Sequence, residues 1–128
     1  GKEKPELKET LLDIIKTPIS PELLPTDGKQ VVQKTESTVG PYEVIDFFIY
    51  NFLRKRFSRN KILYLAVNAF EGVYTMEELS RYYDGFIKRF FHNQFKRNCI
   101  PDGPKVGTVS VSPRGDLRLP SDADSSNW

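Results

Sequence analysis

Thr75 to Arg97 reads TMEELSRYYDGFIKRFFHNQFKR, and this stretch decides the fold. Leu79, Tyr83, Phe86, Ile87, Phe90 and Phe91 recur at the three- and four-residue spacing of one helix face. Thr75 and Glu78 form a capping box, in which hydroxyl and carboxylate each bond the other residue's backbone N–H and fix the helix start. The spacing predicts one helix from about 76 to 97. Phe95 lies one turn beyond Phe91, where the aromatic stripe runs into charge. Gly85 costs up to ~1 kcal/mol relative to Ala in a helix interior, so close approach of another helix is expected there.

Downstream, periodicity stops and charge continues. Pro101, Gly103, Pro104, Gly107, Pro113, Gly115 and Pro120 punctuate an irregular tail. Between Phe86 and Arg118 stand Lys88, Arg89, Lys96, Arg97, Lys105, Arg114 and Arg118 against only Asp102 and Asp116. The residues before Phe86 are nearly neutral, so the cations form a local surface suited to phosphate or carboxylate groups. Lys96 and Arg97 are expected to snorkel and reach outward. Alternation over Thr108 to Val111 predicts a short strand.

Upstream, Leu7, Leu11, Ile14 and Ile15 predict a first helix over 5–16, with Pro5 in its first turn and Pro18 beyond its end. Residues 17–40 hold three Pro and two Gly and no apolar period, which reads as a long loop, either a surface connector or a ligand-facing segment that becomes ordered over its partner. Gly40-Pro41 opens a second helix, 41–57, carrying Tyr42, Ile45, Phe48, Ile49 and Phe52, widened by Val44, Phe47 and Leu53. So broad an apolar arc implies burial on more than one side. Arg54, Lys55 and Arg56 then complement the dipole of its last turn. Ser58 is the expected cap of a third helix, 59–70, bearing Ile62, Leu63, Leu65, Ala66, Ala69 and Phe70.

The totals fit this mainly α reading. A chain of 128 residues forms one domain with a real core, and nine Phe and six Tyr make that core aromatic. No run reaches the ~20 apolar residues a membrane helix needs. His92 and Cys99 are the only residues of their kinds, too few for a zinc site and without a third group to complete a nucleophilic pair, so structural roles are expected for both. Neither the G-x-x-x-x-G-K-[ST] nor the G-x-G-x-x-G phosphate loop occurs. A single cysteine fits a reducing, cytoplasmic compartment.

Several long segments carry a resemblance. TPISPELLP (Thr17 to Pro25), QKTESTVGPYEVIDFFIYNFLR (Gln33 to Arg54), RFFHNQFKR (Arg89 to Arg97), PDGPKVG (Pro101 to Gly107) and SPRGDLRLPSDA (Ser112 to Ala123) together resemble the C-terminal part of glutamine-dependent NAD synthetases. The resemblance implies an ATP- and Mg²⁺-requiring amide ligation that adenylates the nicotinate carboxylate of deamido-NAD and replaces AMP with ammonia. A separate glutamine amidase domain would supply the ammonia. It also implies the mostly helical C-terminal piece of an adenine-nucleotide α-hydrolase-like α/β synthetase domain. Neither the family's SGG-x-DS loop nor its amidase triad is in this sequence, so no catalytic residue is expected here and the piece alone is expected to be inactive.

Carried over by motif, Phe95 and Lys96 match the family's substrate-binding pair, with Lys96 on deamido-NAD. Asp116 matches an acidic position near the substrate and the subunit interface. Ser20 and Glu36 match ATP-side positions. The family often has an aromatic after PRGD, where this chain has Leu117. The implied partners are deamido-NAD, ATP, the remaining synthetase and amidase parts, and further copies in a homo-oligomer, with neither nucleic acid nor membrane. The competing class is a non-catalytic helical module that binds nucleic acid or a protein through its basic tail.

Overall fold

The computed structural model describes residues 5–17 and 39–126, with the side chains of residues 5 and 6 excepted. The chain divides into two units, Gly1–Thr38 and Val39–Trp128. In the first, α1 spans Pro5–Lys16, as its periodicity predicts. Thr17 closes it by donating its hydroxyl to the Asp13 carbonyl at 3.0 Å. Ser20, Glu36 and most of the expected loop at 17–40 lie outside the described residues.

The second unit is built on four helices: α2 (Tyr42–Ile49), α3 (Arg59–Ala69), α4 (Met76–His92) and the short α5 (Gln94–Asn98). Among the described residues there is no strand. Every residue of the predicted aromatic stripe on α4 is buried, and both halves of the Thr75–Glu78 capping box form. The Thr75 N–H and hydroxyl bonds hold the Glu78 carboxyl below its usual range.

Rings from α2 and the turn that follows it, Tyr50–Arg54, interleave with those of α4. Phe48 meets Tyr83 edge-on with centroids 5.2 Å apart. Phe52 meets Phe90 in the same way at 5.6 Å. These are the arrangements that ring quadrupoles favour. Ile62, Leu63 and Ala66 of α3 complete the core. Leu65 is only half-buried and Ala69 is exposed, so α3 presents a narrower apolar face than its sequence suggests. Arg59, at the start of α3, spans to α4 through Asp84 at 2.9 Å and the Ser80 hydroxyl at 2.8 Å. Ser58 has the extended backbone of a cap but makes no side-chain capping bond.

The second helix ends earlier than the predicted 57. Its last turn, Tyr50–Arg54, widens into a π turn. Buried Asn51 accounts for this: its amide donates to the Phe47 carbonyl at 2.8 Å, the acceptor that a regular backbone bond from Asn51 would use. The Lys55 N–H then reaches back to the Tyr50 carbonyl, and the Phe57 N–H to that of Asn51. Arg56 between them has φ 56°, where helix-terminating glycine is usual. An arginine in the left-handed region costs about 1–3 kcal/mol. Tyr42, at the first turn, is exposed despite its place in the apolar pattern.

Gly85 is also not what its position suggests. A side chain there would meet nothing within 4 Å, so no helix approaches closely. The tail packs without a ladder: Leu117 is buried, and Val109, Val111, Leu119 and Ala123 lie against the core. The alternation of Val109 and Val111 thus marks one buried face, although no strand forms.

Candidate functional site

The predicted single helix 76–97 breaks at Asn93, whose backbone (φ −94°, ψ 12°) leaves the helical region and starts α5. Gln94 then continues the inward stripe of Phe90 and Phe91 and is completely buried. A buried amide needs partners, and Gln94 has three. Its Nε2 donates to Asn98 Oδ1 at 2.9 Å and to the Leu119 carbonyl at 3.3 Å. Its Oε1 accepts from Arg97 Nη2 at 2.8 Å. Asn98 grips the same Leu119 carbonyl at 3.3 Å and the Ser121 hydroxyl at 2.8 Å. Two side-chain amides therefore pin the tail to the end of the helical core.

Arg97 does not reach outward. Its guanidinium lies over the Phe90 ring, 4.1 Å from the centroid, and its Nη2 also donates to the Phe90 carbonyl. Burial pulls its pKa below the usual arginine value. Its Nε–H is buried without a partner among the described residues. The snorkelling expectation fails because the break at Asn93 turns Arg97 onto the same inward side as Gln94. Arg97 is a structural cation here, with no free fork to offer a ligand.

Phe95 and Lys96 face the other way. The Phe95 ring is 47% exposed, far more than any α4 aromatic of the stripe. Lys96 is exposed with its Nζ 5.9 Å from the Phe95 centroid. The pair forms a solvent-facing aromatic and cation edge, held by the buried Gln94 beneath it. Gln94 was not singled out by motif, yet it had a signal: it stands four residues after Phe90 and three after Phe91. Replacing Gln94 with Ala is expected to cost about 1–3 kcal/mol, because the Leu119 and Arg97 groups lose a buried partner. Urea denaturation checks this, and a loss below about 0.5 kcal/mol, the range of ordinary surface changes, would refute the clamp.

Asp116 lies in a different place. It accepts from Lys105 Nζ at 2.6 Å and from the Ser110 N–H at 2.9 Å. The Lys105 and Ser110 bonds hold its carboxyl below the usual range, with a weaker pull from Arg54. It lines a cleft with Leu53, Arg54, Arg56 and Val109, to which neither Phe95 nor Lys96 contributes. Arg114 in turn pairs with Asp102 at 2.5 Å. The tail's cations are thus partly neutralised internally. Among the described residues, Lys88, Arg89, Lys96 and Arg118 form no ion pair.

His92 and Cys99 are both exposed rather than part of the core. His92 borders an open cleft of about 410 Å³ with Lys88, Phe91, Asp122 and Asp124. No three metal-ligating side chains converge among the described residues. No described helix is long and apolar enough to cross a membrane.

The chain is 34% identical over an alignment of 141 positions, gaps included, to a glutamine-dependent NAD(+) synthetase of Mycobacterium leprae, covering 96% of this chain. It is 36% identical over an alignment of 138 positions to proteins of the same name in Mycobacterium bovis and Mycobacterium tuberculosis, covering 94%. Its curated relatives are glutamine-dependent NAD(+) synthetases. The chain spans about a fifth of the length of these relatives. No family model matches it, and no solved structure matches it. Only a few residues of the chain fall outside the similarity to the synthetases, so Phe95, Lys96 and Asp116 lie within it.

Proposed function

We propose that this chain is a helical part of a glutamine-dependent NAD(+) synthetase, and that its Phe95–Lys96 edge binds deamido-NAD. The observation that carries the proposal is the outward pair on a short helix whose inward side is locked by Gln94, Asn98 and Arg97. A fixed aromatic face suits a nucleotide or nicotinate ring. An unpaired ammonium beside it suits a phosphate or carboxylate. Holding both on a rigid element limits the ordering cost of binding. ATP and Mg²⁺ belong to the complete synthetase in this proposal. The described residues bring no cation-binding set together. Ser20 and Glu36 remain proposed ATP-side residues, outside the described structure. Other synthetase parts, a glutamine amidase domain and further copies of the enzyme are the proposed partners, in the cytoplasm.

In a complete synthetase carrying this segment, Lys96→Ala is expected to raise the KM for deamido-NAD about ten- to a hundredfold, as loss of one charge-assisted bond predicts. The KM for glutamine should hardly move. Arg89→Ala, on the same helical arm, controls for general loss of positive field. Equal effects of both substitutions would reduce the edge to a diffuse cationic surface, and an unchanged KM in folded Lys96→Ala would remove the site. The 128-residue chain alone is expected to form no NAD from ATP, Mg²⁺, deamido-NAD and ammonia.

A further inference from the structure

The cleft beside the π turn is not needed for the edge just described. Leu53, Arg54, Arg56, Val109 and Asp116 line it, and its volume is about 220 Å³. That is below the ~300–1,000 Å³ of pockets that enclose drug-sized molecules, so it suits a small group rather than a whole dinucleotide.

We propose that this cleft is a seat for a phosphate or pyrophosphate group, with Arg54 and Arg56 as its donors. Three features lead there. First, the backbone carries strain at this point: Arg56 stands at φ 56°, where glycine or asparagine would terminate the helix more easily. The helix dipole accounts for cations at Arg54 and Lys55, but not for a left-handed arginine. Strain of this kind tends to collect where side chains must be aimed at a ligand. Second, the side chains of Arg54 and Arg56 make no hydrogen bond or ion pair among the described residues, although both line the cleft. The one carboxylate present, Asp116, holds Lys105 and the Ser110 N–H through its Oδ2. Third, two guanidinium forks line the cleft against that single carboxylate. The excess favours a doubly charged phosphate group, whose oxygens accept from guanidinium in pairs.

The test is titration of the 128-residue chain with inorganic pyrophosphate at constant ionic strength, following the backbone amide resonances of Leu53 to Phe57 and Asp116. A parallel titration with inorganic phosphate separates a seat for one phosphate from one spanning two. Saturable shifts at these amides are expected. Arg54→Gln and Arg56→Gly should each weaken binding about tenfold, the effect of one lost charge-assisted bond. Arg56→Gly should also leave the melting temperature unchanged or higher, because glycine is relaxed at this φ. Lys88→Gln, which removes a charge from the other cleft, should alter affinity less than twofold. Absence of saturable shifts with either anion would overturn the proposal. So would unchanged affinity in Arg54→Gln and Arg56→Gly, or equal weakening by Lys88→Gln. None of these outcomes bears on the Phe95–Lys96 edge, which is tested with deamido-NAD.

Discussion

Phe48→Ala is expected to destabilise the helical unit by about 3–5 kcal/mol, the cost of removing a large aromatic from a core that cannot collapse around the void. Phe48 is completely buried. Its ring contacts Phe47, Tyr83 and Phe86, with centroids 6.4, 5.2 and 6.0 Å away. Tyr83 and Phe86 are themselves buried between α2 and α4, so little can move to fill the space. Domains of ordinary stability hold only ~5–15 kcal/mol in total, so this one substitution takes a large share. Urea denaturation followed by far-ultraviolet circular dichroism measures it. Phe95→Ala is the matched control: its ring is 47% exposed and should cost no more than about 0.5 kcal/mol. Equal losses for the two would mean that α2 does not carry the core.

Gly40→Ala should cost about 2–5 kcal/mol by two separable effects. Gly40 has φ 104°, which L side chains rarely adopt. The left-handed side of the map penalises them by about 1–2 kcal/mol. An added Cβ would also stand 3.0 Å from Cδ1 and 3.3 Å from Cγ of Tyr82. Such crowding typically costs about 1–3 kcal/mol. Tyr82 yields poorly because its ring is set edge-on against Tyr74, at 6.0 Å. A double-mutant cycle with Tyr82→Leu separates the terms, since the smaller side chain relieves the clash but not the backbone. A neutral Gly40→Ala would show that the entry into α2 is not fixed where Pro41 begins it.

Reading the sequence worked where one physical rule acted alone. The stripe on α4 and the Thr75–Glu78 box are local, periodic signals, and each residue assigned to them lies where it was expected. The mainly helical class follows from the same signals. The ends of helices were harder, because competing bonds decide them. Asn51 reads as an ordinary polar residue in its helix, and only its burial reveals that it takes a backbone acceptor and widens the turn. Arg56 continues a cationic run with nothing to announce a left-handed backbone.

At the site, the outward place of Phe95 and Lys96 was legible from the end of the aromatic pattern. The inward turn of Arg97 was not, since it depends on the break at Asn93 and on a cation resting over Phe90. Motif resemblance grouped Asp116 with Phe95 and Lys96, whereas the fold gives Asp116 to another cleft. Sequence similarity can assign residues to one function without saying that they touch.

The grip of Gln94 and Asn98 on one carbonyl, that of Leu119, has a consequence for how this region can vary. A β-ladder transmits register, so an inserted residue displaces every pair after it. A point fastening transmits none. Residues 101–108 are all exposed between the fastened helix end and Val109. Because the closure entropy of a flexible loop grows only by about 0.6 kcal/mol per doubling of length, added residues there cost little. The segment carries no ladder, so its length can change at the cost of two exposed ion pairs, Asp102 with Arg114 and Lys105 with Asp116. Surface ion pairs in general contribute about 0–1 kcal/mol each.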